Sequence, residues 1–178
     1  MSYPLSKKYQ SAGGPGVKNV AALLSTLALP DRDAVVSAFF DAFAFNVLVG
    51  GTDAHAKNYS LLLRGPRVAL APLYDVASYA PYLKTGEAVR SSMKVGRHWH
   101  VRDVTVEDWV AVGLSLGLEA NDAVDRVERL RRGLPEAVLA AAEEAPVSFV
   151  EGARRVAAAV ARQGHLKLPR LPREPRHN

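Results

Sequence analysis

AFFDAFAFNVLVGGTDAHAKNYSLLLRGPRVALAPLYD (38–75) is the stretch that decides the fold. Val36, Phe39, Phe40, Phe43 and Val47 recur at three- and four-residue steps and predict a helix. Its opposite face is also apolar, so it belongs at the centre of a domain rather than on its surface. The helix must stop at Gly50-Gly51, and TDAHAKNY (52–59) after it is dense in polar groups. YSLLLRGPRVALAP (59–72) reads as two short strands around an Arg-Gly-Pro turn, and an irregular stretch follows from Asp75 to Gly86. A polar loop between a buried helix and a hairpin is a natural place for chemistry, because rigid elements fix its residues.

Outward from this stretch, residues 1–16 contain Pro4, Gly13, Gly14, Pro15 and Gly16 and read as an irregular opening segment. A helix is expected from about Val17, and Asp31 or Asp33 is placed to cap the central one. TVEDWVAVGLSLGL (105–118) has Thr105 as a cap with Asp108 three residues on; Val106, Trp109, Val110 and Leu116 share its apolar face. NDAVDRVERLRRGLPEAVLAAAEEA (121–145) puts Val124, Val127, Leu130 and Leu134 on one stripe, with a break or kink expected at Gly133-Pro135. Ser148 is placed to cap a last helix through Gln163. No internal repeat and no second domain boundary interrupts residues 17–164.

The 178 residues, 48% of them hydrophobic, suffice for one core. Cysteine is absent, which excludes disulfides and thiolate metal sites. No apolar run follows the basic residues of MSYPLSKKYQ, and AFFDAFAFNVLVGG (38–51) carries Asp41 and is too short for a bilayer, so a cytoplasmic protein with no membrane association is expected. The formal charge is +5. Much of it sits in HLKLPRLPREPRHN (165–178), where Lys167, Arg170, Arg173 and Arg176 face only Glu174. That basic, proline-rich stretch reads as a disordered tail: a solvated extension, or a contact for an acidic partner or nucleic acid.

Asp53 and Asn58 stand in an Asp-x4-Asn spacing, and Asp75 follows after the expected hairpin. Phosphoryl transfer needs a carboxylate to orient the attacking hydroxyl and oxygen ligands to hold magnesium on the phosphates, and kinases supply both with this pattern. A hairpin returns the chain beside its start, which lets the loop and the later Asp converge. Alone, an Asp-x4-Asn pair more often serves in loop capping and turns.

Four ordered segments add to it. GGTDAHAKNYSLLL (50–63) and LAPLYDVAS (70–78) closely resemble the catalytic-loop and metal-binding segments of HipA-like serine/threonine protein kinases. KKYQSAGGPGV (7–17) and MKVGRHWHVRDVTVEDW (93–109) resemble segments of the same family, and the resemblance spans residues 7 to about 163. It implies a mainly α, α+β fold: a protein-kinase-like C-terminal helical lobe with a small β-hairpin at the active site. It implies transfer of the γ-phosphate of ATP, the co-substrate, to a Ser or Thr hydroxyl of a protein substrate. Asp53 would be the catalytic residue that orients and deprotonates that hydroxyl, with Asn58 and Asp75 as ligands of Mg2+. His55, Lys57 and Tyr74 match positions that line the nucleotide site, Lys57 offsetting charge on the transferred group.

The family's members are typically toxins paired with a HipB-like helix-turn-helix antitoxin, so such a partner is expected, with operator DNA reached only through the complex. Gly51-Thr52 stands where eukaryotic-type kinases have His-Arg, and Tyr74-Asp75-Val76 stands for Asp-Phe-Gly; HipA-like proteins share both departures. No glycine-rich phosphate loop or strand lysine is found ahead of residue 7, and SAGGPGV (11–17), where Pro15 lacks a donor, reads as a turn. The expectation is a catalytic lobe whose N-lobe lies elsewhere, as a separately encoded chain or lost by truncation. The rival reading is a catalytically inactive remnant or antitoxin-binding module. A second rival, a metallohydrolase built on Asp53, His55, Asp75, His98 and His100, lacks the usual zinc spacings.

Overall fold

A helix that is apolar on most of its circumference needs several neighbours, and the rest of the chain supplies them on all but the partly exposed stripe of Ala34, Ser37, Asp41 and Phe45. The computed structural model describes residues 4, 7–29, 31–85 and 87–163. Five α-helices, α1 (Val17–Leu24), α2 (Asp31–Leu48), α3 (Val106–Leu116), α4 (Ala120–Glu143) and α5 (Val150–Ala161), make up nearly half of the described chain. Two antiparallel hairpins complete it, β1 (Leu61–Arg64) with β2 (Arg67–Leu70), and β3 (Arg90–Val95) with β4 (His98–His100). The tail at 165–178 lies outside the described residues.

α2 packs against β2, α4, α1 and α3. Phe39, Phe40 and Phe43 are buried, and Trp109 of α3 meets Phe40 and Phe43 edge-on at 6.0 Å between centroids. Each such side chain contributes on the order of 1.5–3 kcal/mol. Farther along, Leu48 and Val49 join Leu134 of α4 and Val160 of α5 in a second apolar cluster. Asp41, the one charge in the middle of this helix, accepts from Arg126 Nη1 at 2.9 Å, while Arg126 also reaches Asp122 and Ser37. One guanidinium thus fastens α4 to α2. No helix among the described residues is long and apolar enough to cross a membrane.

Several local expectations change. Asp31 and Asp33 lie inside the first turn of α2, and Asp31 is spent on the first hairpin: Arg67 Nε donates to it at 2.7 Å and the Val68 amide at 2.8 Å. These donors, the amide foremost, hold its carboxyl below the usual range. α4 runs unbroken through Pro135: the proline removes the hydrogen bond to the Arg131 carbonyl and crowds that oxygen, and the packing of Leu130, Leu134 and Val138 offsets the cost. α5 starts after Phe149, not Ser148, and ends at Ala161. The second hairpin was not expected as one. Its signal is Gly96-Arg97, the two-residue turn between the paired Val95 and His98.

The second hairpin is tied to α3 by a box of hydrogen bonds at Asp108. Its Oδ2 accepts from the Thr105 amide at 3.0 Å, so the expected cap forms, and lies 2.8 Å from His98 Nδ1. Oδ1 accepts from the Arg97 amide at 3.2 Å. Burial pushes this carboxyl up, yet the hydrogen bonds outweigh it and hold its pKa below the ordinary 3.8. A depressed folded-state pKa gives stability that is present above the unfolded value and lost as the pH falls through the folded one. Asp108→Ala should therefore cost about 2–4 kcal/mol at neutral pH. In urea unfolding the gap from wild type should close as the pH falls below about 4, and a gap that does not depend on pH would contradict this role.

Candidate active site

α2 ends where its backbone turns left-handed at Gly50, φ +78°. The Gly51 amide then donates to the Asn46 carbonyl at 2.7 Å, and a Cβ on Gly51 would stand 2.9 Å from that oxygen. Only glycine fits so close an approach without displacing the helix end. Buried Asn46 donates to the Ala42 carbonyl and to the Tyr59 hydroxyl, both at 3.1 Å, and Tyr59 stacks edge-on against Phe39 at 4.9 Å. Burial pushes the Tyr59 hydroxyl well above its ordinary pKa, so it stays a neutral clip. Asn46 and Tyr59 therefore pin both ends of the loop that carries Asp53 to Asn58.

Within the loop, the His55 amide donates to the Asp53 carbonyl at 2.8 Å and the Asn58 amide to the His55 carbonyl at 2.9 Å. These bonds turn Asn58 inward. Its side-chain Nδ2 donates to the Asp53 carbonyl at 3.2 Å and to Asp75 Oδ2 at 3.1 Å. Residues 53, 58 and 75 thus meet as the spacing predicts. Asp75 reaches its place with φ +55°, the one left-handed non-glycine residue among those described. Its neighbours hold it there: the Tyr74 hydroxyl donates to the Lys57 carbonyl at 2.8 Å, Ser78 Oγ donates to the Val49 carbonyl, and the Tyr79 amide donates to the Gly50 carbonyl at 2.9 Å.

Asp53 is half exposed and its Oδ1 is crowded. The Tyr9 hydroxyl donates to it, Lys8 Nζ lies 3.3 Å away and His55 Nε2 4.0 Å away. The Tyr9 bond, with Lys8 behind it, outweighs partial burial and holds the Asp53 carboxyl below its ordinary pKa. It is ionised at neutral pH, a weak base suited to accepting a hydroxyl hydrogen bond. His55 is buried, edge-on to Tyr9 at 5.6 Å between centroids, and its Nδ1 has no hydrogen-bond partner among the described residues. Lys57 Nζ donates to the Pro4 carbonyl at 3.1 Å. Tyr74 is exposed, with its hydroxyl braced between the Lys57 carbonyl and Ser60.

Lys8 and Tyr9 are the contacts that the sequence did not flag; the only signal was their place in KKYQSAGGPGV. His98 and His100 do not join the site. His98 is bonded to Asp108 and His100 lies 3.7 Å from Asp103. Among the described residues no group of three His, Asp or Glu side chains is placed to hold a metal, which removes the basis of the metallohydrolase reading.

The Asn58 and Asp75 side chains together carry oxygen donors of the kind a magnesium ion takes. Their polar atoms stand 3.1 Å apart, close to the ~3 Å between adjacent oxygens around an ion that binds each at ~2.1 Å. Rotating the Asn58 amide end for end presents its oxygen, at the expense of its bonds to both the Asp53 carbonyl and the Asp75 carboxylate. A hard cation that keeps most of its waters needs no more protein ligands than these.

The model of the family of HipA-like C-terminal domains matches residues 1–138. The chain is 30% identical over 172 residues to "Putative kinase Y4mE" of Sinorhizobium fredii, covering 96% of this chain and 40% of that protein. It is 27% identical over 147 residues to "Serine/threonine-protein kinase toxin HipA" of Shewanella oneidensis, covering 78% of this chain and 34% of that protein. In the solved complex of Shewanella oneidensis HipA, HipB and operator DNA, one chain superposes with a TM-score of 0.71 at 22% identity, over 90% of this chain and 41% of that one. That likeness shows a shared fold, mixed α and β with helices dominant. The chain spans about two fifths or less of the length of these relatives.

The left-handed Asp75 gives a prediction that needs no catalytic assay. Asp75→Gly and Asp75→Ala both remove the carboxylate, but only alanine retains a Cβ in the left-handed region. The glycine variant should be more stable by about 1 kcal/mol in urea unfolding; equal stabilities would mean that the residue is free to leave that conformation.

Proposed function

Since the chain belongs to the family of HipA-like C-terminal domains, we propose that it is the catalytic portion of a serine/threonine protein kinase that moves the γ-phosphate of ATP to a protein hydroxyl. The observation that carries this reading is the Asn58 side chain, which bonds the Asp53 backbone and the Asp75 carboxylate together. That bridge joins a hydroxyl-orienting carboxylate to a magnesium-binding pair at the end of a buried helix.

In the proposed reaction the Asp53 carboxylate accepts a hydrogen bond from the substrate Ser or Thr hydroxyl and aims its oxygen at the γ-phosphorus. The new P–O bond forms as the bond to the ADP oxygen breaks, and the hydroxyl proton passes to Asp53. Its low basicity suits a transfer in which bond breaking leads and the proton moves late. Asn58 and Asp75 would hold magnesium, which would supply positive charge against that of the phosphates. Lys57, released from Pro4, adds a compact positive charge beside the transferred group. His55 and the exposed Tyr74 ring line the nucleotide side of the site.

The grip on the α- and β-phosphates is assigned to polypeptide outside these residues, joined to them or separate. The structural neighbour is a complex with HipB and operator DNA, which supports a HipB-like antitoxin as partner and DNA contact through that partner, with a toxin role for the assembled kinase. Stoichiometric antitoxin binding without phosphate transfer would instead support a partner-binding module.

Titration calorimetry tests the reading on the chain itself. Mg·ATP should bind, and Asp75→Ala should weaken that binding tenfold or more; nucleotide binding that ignores both magnesium and Asp75 would remove the metal assignment. With a complementing N-lobe, Asp53→Ala should abolish transfer while circular dichroism stays unchanged, and transfer at the wild-type rate would refute the role of Asp53.

A further inference from the structure

KKYQSAGGPGV (7–17) has no task in the reaction proposed above, yet it is built as a rigid support. The Tyr9 carbonyl accepts from the Ala12 amide at 3.0 Å and from the Gly14 amide at 2.9 Å. Gln10 Oε1 accepts from the Lys94 amide of β3 at 2.7 Å, which fastens the segment to the second hairpin. A Cβ on Gly14 would stand 2.4 Å from the Lys7 carbonyl oxygen and 2.7 Å from that of Tyr9, so the turn closes only around glycine.

This support aims a tyrosine at Asp53. The Tyr9 ring is set edge-on to buried His55, Lys8 Nζ lies 4.7 Å from its centroid, and its hydroxyl donates to Asp53 Oδ1. Lys8 Nζ and His55 Nε2 approach the same oxygen, at 3.3 and 4.0 Å, while the Asp53 side chain is still 49% exposed. Among the described residues, every side-chain contact of Asp53 therefore falls on Oδ1, which leaves Oδ2 for another donor. The last torsion of an aspartate is broad when nothing holds it, and a bond to one oxygen fixes the direction of the other. A segment that merely covered the site would occupy the whole carboxylate and be free to lift; this one takes a single oxygen and is bonded to β3.

Building on the kinase reading, we infer that Tyr9 is a positioning residue for phosphoryl transfer: it holds Asp53 Oδ1, with Lys8 as a second donor, and so turns Oδ2 toward the acceptor hydroxyl. Tyr9 touches neither substrate nor nucleotide and acts only through Asp53. The fixed direction matters because in-line attack tolerates only small errors of distance and angle.

Tyr9→Phe removes the hydroxyl and keeps the ring beside His55, so it tests the role without emptying the site. In urea unfolding of the chain, Tyr9→Phe should lower the midpoint when Asp53 is present and leave it unchanged in an Asp53→Ala background; equal losses in both backgrounds overturn the inference. With a complementing N-lobe, Tyr9→Phe should lower kcat about tenfold to a hundredfold, as expected for one lost hydrogen bond to a charged group, and leave KM for Mg·ATP unchanged. A kcat at or above the wild-type value would show that the hydroxyl is dispensable or competes with the substrate; that result overturns the inference, while transfer by the wild type retains the kinase reading. Coupled unfolding with no transfer by any variant, wild type included, would discard the kinase reading and reduce the Tyr9–Asp53 pair to a structural clamp.

Discussion

Everything in this molecule depends on the deep burial of α2. A helix with Phe39, Phe40 and Phe43 buried and Leu48 buried at its end shows water only the partly exposed stripe of Ala34, Ser37, Asp41 and Phe45, so its neighbours must wrap the rest and its end is held by both apolar clusters. The loop from Asp53 to Asn58 starts from that fixed end. Gly50 and Gly51 are there because the chain must leave the helix at once and close beside Asn46. The precision of the site therefore has a hydrophobic origin: polar groups at residues 53, 58 and 75 sit where they do because aromatic side chains several turns away have nowhere else to go.

Electrostatics refine what packing positions. The opening segment brings Tyr9 and Lys8 back onto Asp53, and Arg126 makes the single mid-helix carboxylate of α2 useful as a fastening for α4. Asp108 plays the corresponding part for the second hairpin, collecting the Thr105 and Arg97 amides and the His98 ring. In each case one buried or half-buried charge joins elements that the apolar core only brings near each other, and the pairing partner is a backbone amide or a fixed side chain rather than a free surface ion.

Much of this was legible in the sequence. The all-round apolarity of residues 36–47, the double glycine and the turn at Gly65-Pro66 each act over a few residues, and local rules captured them. The Thr105 and Asp108 box was legible for the same reason. The missed features depend on tertiary partners. Asp31 looks like a cap in isolation and becomes a hairpin ligand only once Arg67 and Val68 are beside it. Pro135 looks like a helix breaker, yet packing on both flanks carries α4 past it. Tyr9 could not be seen as a neighbour of Asp53 because forty-four residues separate them. Asp53, Asn58 and Asp75 were visible as a spacing, and the hairpin made the spacing a meeting point.

That hairpin also sets which changes of length the chain can absorb. Its open end is fixed by Asn58 and Asp75, while Asp31 grips its second strand through Arg67 and Val68. Residues added at the Gly65-Pro66 tip lengthen the ribbon into solvent and leave the spacing at its base untouched. A single residue added to either strand turns every later side chain to the opposite face of the pleat and carries Asp75 away from Asn58. Natural insertions among related sequences should therefore collect at the tip, and the strands flanking it should keep a constant length even where their side chains drift.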